Sequence, residues 1–167
     1  MRLRVAALAL LLTPTFLSGQ ADMSITFVGF GVVHVGMKPE EASRRLGEPL
    51  LPKEGRDVSE SCYHLHTASQ PSLKFMVEDG RIVRVETSDK RYRTSSGVRV
   101  GDTEEAARAK YGPRCEVMAH HYDPAGHYLI IRSADKRSAL VLETDGKTVT
   151  YIRAGRQPAA EYVEGCL

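Results

Sequence analysis

Apolar residues recur along this chain in two spacings, and the two spacings take turns. Ala42 with Leu46, and Ala107 with Tyr111, lie one helical turn apart. Each pair gives a short helix a narrow apolar stripe. Pro39 suits a first-turn position, and Asp102 with Glu105 three residues on has capping-box spacing. Gly47 and Gly112, each closely followed by proline, predict where the helices stop. After each helix the period drops to two. Leu73, Phe75 and Val77 alternate with Lys74, Met76 and Glu78, and Val83 and Val85 alternate with Arg84 and Glu86. Leu140 and Leu142, then Val149 and Tyr151, repeat the pattern further on. Such alternation predicts antiparallel strands with one buried face. Asp79-Gly80 and Asp145-Gly146 read as two-residue hairpin turns, and Asp123-Pro124-Ala125-Gly126 as another turn. The stretch "SITFVGFGVV" predicts an edge strand or a segment packed along the core.

The alternation of periods occurs twice, and the two occurrences resemble each other. Aligning "GVVHVGMKPEEASRRLGEP" with "GVRVGDTEEAARAKYGP" places Gly36 on Gly101, Glu40 on Glu105, Ala42 on Ala107, Leu46 on Tyr111 and Gly47 on Gly112. "FMVEDGRIVRVE" matches "LVLETDGKTVTYI" at nearly the same offset, 66 residues against 65. The chain therefore reads as an α+β protein of two tandem helix-plus-antiparallel-sheet repeats, residues 22–89 and 90–167, the second ending in a C-terminal tail. A single helix over one small sheet is thin for independent stability. The expected layout is one compact domain with the sheets side by side, the helices on one face and the other face open. The repeated "G-M/D-x-x-E-E-A-x-x-x-L-G-x-P" pattern resembles the β-lactamase-inhibitory-protein-like fold and the SmpA/OmlA group of small envelope proteins. That resemblance implies action by binding another protein on a concave sheet surface. The chain departs from these relatives in having no lipobox cysteine and only three cysteines.

Residues 1–21 read as a secretory leader: Arg2 and Arg4, an apolar run from Val5 to Leu12, and small residues at Gly19 and Ala21. The apolar run is shorter than the roughly 20 residues a membrane-spanning helix needs. No cysteine precedes Cys62, so no lipid anchor is expected, and the expected location is periplasmic or secreted. Losing the leader takes 23 basic residues to 21, against 21 acidic ones. No net basic field remains to draw nucleic acid or an anionic membrane.

Candidate chemistry is sparse. In "CYHLH", Tyr63 and Leu65 face one side of a strand, and Cys62, His64 and His66 the other. Three such side chains could hold zinc. In an oxidising compartment, however, a cysteine is better used in a disulfide, and no metal site is expected. The pairing expected is Cys62–Cys166, which ties down a loose tail and leaves Cys115 spare; Cys115–Cys166 is the alternative. His120, His121, Asp123 and His127 straddle a turn, so at most His120 and His127 approach each other. No nucleophile elbow, phosphate loop or dinucleotide pattern occurs. Glu40, Glu41, Glu104 and Glu105 sit in first helical turns, where they complement the dipole. No enzyme and no cofactor are expected. The open face should carry His64, His66, Met76 and Arg84, joined by some of His120, Tyr122, Tyr128, Arg132 and Arg153, because "HYLIIR" reads in either phase. Tyrosine, arginine, methionine and histidine on a rigid sheet suit a protein partner. The function expected is an exported, non-enzymatic protein-binding module, with inhibition of an extracytoplasmic enzyme as one form of it. The alternatives are an envelope assembly component, or a metal- or ligand-binding protein using His64 and His66.

Overall fold

Antiparallel pairing dominates the computed structural model, which describes residues 23–52 and 61–166. The expected leader, residues 1–21, lies outside the described residues. Three two-residue strands, β1 (Ile25–Thr26), β2 (Gly29–Phe30) and β3 (Val33–His34), form a small sheet. Helix α1 (Pro39–Leu46) and strands β4 (Leu50–Pro52), β5 (Cys62–Thr67), β6 (Leu73–Glu78) and β7 (Arg81–Thr87) follow. Then come α2 (Glu104–Tyr111), β8 (Cys115–Ala119), β9 (His127–Arg132), β10 (Ser138–Thr144) and β11 (Val149–Arg156). Strands β4 to β11 make one eight-stranded sheet in the order β4-β5-β6-β7-β11-β10-β9-β8.

This corrects the expected α+β layout. Strand outweighs helix by 43% to 16%, and the protein is mostly β, without a helical layer on one face. An eight-residue helix is about 12 Å long, whereas eight strands at about 4.8 Å apart are nearly three times that across. Two such helices cannot cover the sheet. α1 packs at one margin, against β3 and β4. The rest of the apolar face is covered by Ile25, Phe30 and Val33 of the small sheet and by Tyr92 and Val98 of the connecting segment. Nor are there two sheets side by side. β7 and β11 pair directly, with Arg84 to Thr87 opposite Ile152 to Gly155, and this joint makes the sheet continuous.

The local signals hold where the chemistry is short-range. Pro39 opens α1, and Gly47 closes it in the left-handed conformation. Asp79 and Gly80 both have positive φ, as a two-residue turn matching strand twist demands. Other elements differ from expectation. α2 is capped by Thr103, whose Oγ1 accepts from Ala106 N, while Asp102 accepts from Arg99 N instead. Four residues, not two, join β10 to β11, because Asp145 Oδ1 accepts from both Lys147 N and Thr148 N and widens the turn. A bulge between Met76 and Val77 shifts the β6–β7 register. It leaves Ile82 and Val85 in the main core and sends Val83 to the opposite face, beside Met76 and Ala159.

The joint supplies a stability test. A Cβ on Gly155 would lie 2.2 Å from Val83 O and 2.7 Å from Arg84 Cα. Gly155→Ala should cost about 1–3 kcal/mol by overpacking. Urea unfolding reads the cost, and an unchanged midpoint would contradict the close approach.

Candidate functional site

The face opposite the main core is built from period-two positions that the sequence fills with charge. His64 on β5, Met76 on β6, Arg84 on β7 and Gly155 on β11 are register partners in one row. Lys74, Glu86 and Arg153 form the next row. Tyr151 and Glu143 pair in the row beyond. Between them these side chains place three cations, two carboxylates, an imidazole and a phenol on the middle of a sheet.

That face is not open, which corrects the last part of the expected layout. After β11 the chain turns through a 3-10 helix (Ala159–Glu161) and runs back across the sheet to Cys166 as a strap. Arg84 Nη1 donates to Ala159 O and Tyr162 O, both at 3.0 Å, and Arg153 Nε donates to Ala160 O at 3.0 Å. Arg132 grips Glu161 with both ends of its guanidinium, at 2.8 and 3.0 Å, and also pairs with Glu116. Ala159 packs on Met76 and Val83. The strap ends in the disulfide between Cys62 and Cys166, whose Cα atoms are 5.5 Å apart. Closing so long a loop contributes roughly 4–5 kcal/mol in the chain-entropy account. The bond also removes Cys62 as a thiolate ligand, and Cys115 is left as the free cysteine.

Beside the strap lies a pocket of about 250 Å³, walled by His64, Lys74, Glu86, Glu143, Tyr151 and Arg153 and bordered by residues 163–165. Arg84 Nη2 lies 2.5 Å from Glu86 Oε2, and His64 Nε2 lies 3.2 Å from Glu86 Oε1. All three side chains are at least nine-tenths buried. These are charge contacts without good hydrogen-bond angles: His64 Nε2, Arg84 Nε and Glu86 Oε2 have no hydrogen-bond partner. Arg153 Nη1 pairs with Glu143, and its guanidinium sits 5.3 Å from the Tyr128 ring centroid. Burial opposes ionisation of Glu86, but the His64 contact and the surrounding positive charge, Arg84 foremost, hold its carboxyl well below the usual range. Burial, and then the Glu86 charge, push the Tyr151 hydroxyl far up, so it stays protonated. Burial and then repulsion by Arg84 bring Arg153 down to about 10.

The nine residues nominated from sequence fare unevenly. Met76, Arg84, Arg153, Tyr128 and His64 are buried beneath the strap rather than exposed. The phase of His64, Met76 and Arg84 is the one expected; what was missing is the cover. His66 and Arg132 are half-buried, and Tyr122 is 64% exposed at the tip of the β8–β9 connection. His120 stacks on Tyr128 at 4.5 Å and accepts from Tyr122 N and Asp123 N through Nδ1. It does not meet His127, which instead contacts Glu104 Oε2 at 2.9 Å through Nδ1. Glu104 also accepts from Thr144, so this first-turn carboxylate fastens α2 to the β9–β10 edge. Lys74 and Glu86 were passed over, although each alternates in phase with a nominated residue, and so was Glu143. Tyr151, expected on the apolar face with Val149, stands on the charged face because the β10–β11 register shifts beside Thr144. Among the described residues no group of three or more His, Cys, Asp or Glu is arranged to hold a metal.

Acid exposes the weight Glu86 carries. Its folded pKa lies below its ordinary value near 4.5, so its contribution is full above that pH and drains away as pH falls beneath it. Glu86→Gln should cost about 3–5 kcal/mol at pH 7, since it strands Arg84 under the strap. The gap between variant and wild type should narrow below pH 4.5. Denaturant unfolding across pH 3–7, an interval chosen to bracket that value, reads both effects. A gap that stays constant with pH would contradict the assignment.

No family model matches the chain, and no curated protein matches it. Among solved structures it is similar to that of the uncharacterized protein yfeY from Escherichia coli, with a TM-score of 0.44 and 13% identity, covering 80% of this chain and 99% of that one.

Proposed function

We propose that the chain is an exported, non-enzymatic protein-binding module, and that it takes an extended segment of its partner along the outer edge of β8. The observation that carries this reading is the contrast between the two edges of the sheet. β4, at one edge, has three residues and ends in Pro52, which offers no N–H. β8, at the other, has five residues and no proline, lysine or bulge, and no described residue pairs with its outer side. Edges left in that state are templates for an added strand.

Side chains beside the edge favour the same occupant. Val117 and Met118 are 38% and 46% exposed on opposite faces of β8. On the strap side, Met118 borders a cleft of about 180 Å³ with Ala119, Tyr128, Ile130, Val141 and Val163. An added strand would point alternate side chains into that cleft, which gives main-chain affinity and side-chain selectivity together. Export is supported by the disulfide, a bond that persists in oxidising compartments. Among the described residues no helix is long and apolar enough to cross a membrane.

A photo-crosslinking residue in place of Met118 should form an adduct with one partner in cells, and the same residue at the exposed Thr150 should not. Val117→Lys should reduce that adduct at least about tenfold while leaving the melting temperature nearly unchanged, as expected of an exposed position. A soluble enzyme in the adduct supports inhibition, and an outer-membrane assembly supports the envelope role. An adduct indifferent to Val117→Lys, or none specific to Met118, contradicts the reading.

A further inference from the structure

One cation remains when the charges under the strap are matched. Arg84 is paired with Glu86 and Arg153 with Glu143. Lys74 Nζ contacts the Tyr151 hydroxyl at 3.5 Å and the Tyr151 ring, 5.7 Å to its centroid; it feels the Glu86 charge from a distance, with no carboxylate in ion-pair contact among the described residues. Lys74 and Arg153 flank Glu86 in one row across β6, β7 and β11, so two cations border a single buried carboxylate. The walls thus hold Lys74, Arg84 and Arg153 against Glu86 and Glu143, with Glu164 exposed on the rim. With Glu164 counted the lining is neutral; water screens that exposed carboxylate, so the buried walls alone carry one positive charge in excess.

Size and shape narrow the ligand. A volume near 250 Å³ is the share of about eight water molecules, which suits a guest of about that many non-hydrogen atoms. A dianion would face Glu86 and Glu143 with only one surplus cation to offset it. A monoanion matches the balance. The apolar parts of the wall are Val163 of the strap and the ring of Tyr151.

We propose that this cavity binds a small organic monocarboxylate, its carboxylate on Lys74 Nζ and the Arg153 guanidinium and its hydrocarbon part against Val163 and the Tyr151 ring. The polar atoms of His64, Arg84 and Glu86 that lack good hydrogen bonds line the same wall, and an ordered guest with its waters would settle them. Arg153, drawn down to about 10 by burial and by Arg84, gains a second anionic neighbour beside Glu143 on binding. The strap would close over the guest, because Val163, Glu164 and Gly165 border the cavity and the disulfide holds them there. This site is separate from the β8 edge, and either can fail without the other.

The test is an NMR titration of the oxidised mature chain with butyrate, with its neutral isostere butyramide, and with inorganic phosphate. Butyrate should give saturable shifts at the Val163, Glu164 and Gly165 amides, and butyramide should bind at least about tenfold more weakly. Lys74→Gln should weaken butyrate by a similar factor, and Lys74→Arg should keep most of the affinity. Lys74 is half-buried, so an unchanged spectrum elsewhere confirms that the variant is folded. The proposal is overturned if butyrate gives no saturable shift up to about 50 mM. Equal binding of butyramide, or affinity indifferent to Lys74→Gln, overturns it too. Tighter binding of phosphate than of butyrate overturns the monocarboxylate assignment.

Discussion

A guanidinium taken out of water costs several kcal/mol unless its N–H groups find partners, and Arg84 is where this protein meets that cost. Its backbone stands at the β7–β11 joint, opposite Gly155. Its Nη1 donates to two strap carbonyls, Ala159 O and Tyr162 O, and its Nη2 faces Glu86. The sheet joint, the strap and the buried charge therefore meet at one side chain. Without the strap, Nη1 would lose both partners. Without Glu86, the charge would stand alone beside Arg153.

The rest of the architecture follows from that demand. One face of the sheet is apolar and is covered by small elements: β1 to β3, the segment around Tyr92 and Val98, and the apolar stripes of two short helices, Ala42 with Leu46 and Ala107 with Tyr111. The other face is too charged to pack on an apolar layer and too buried to be left to water. A backbone strap suits it, because carbonyl oxygens satisfy arginine without adding further charge. Arg84, Arg153 and Arg132 each hold a different point of the strap, and the disulfide fixes its end. Polar cover of this kind fits less tightly than an apolar layer, and the cavity beside Lys74 is the result. The strap runs short of β8, and so the margin carrying Val117 and Met118 stays exposed.

Short-range chemistry was the part of this fold legible in the sequence. Pro39, Gly47 and Asp79-Gly80 act through backbone angles of neighbouring residues, and their positions survive in the structure. The phase of Leu73, Phe75 and Val77 survives for the same reason. The Cys62–Cys166 bond could be expected because a cysteine near the end of a tail has little else to do in an oxidising compartment. What misled was long-range. The strap, Pro158 to Cys166, shows no periodicity, because its order comes from arginines that precede it by up to 78 residues. The sheet joint depends on Gly155 lacking a Cβ, which no local pattern announces. The bulge beside Met76 reversed Val83 against a plain alternation. The site residues were half legible: His64, Arg84 and Arg153 stood out by type, while Lys74, Glu86, Glu143 and Tyr151 needed the register to bring them together.

The claim on which the account turns is that the charged face is closed by the strap, and two methionines report on it. Met76 is fully buried beneath the strap, and Met118 is 46% exposed on β8. Dilute peroxide applied to the native, oxidised protein, followed by peptide mapping, gives the rate of sulfoxide formation at each. Met118 should oxidise rapidly, with Met76 protected until the protein unfolds. Oxidation of Met76 at a rate like that of Met118 would mean that the face is open in solution, and would contradict the account.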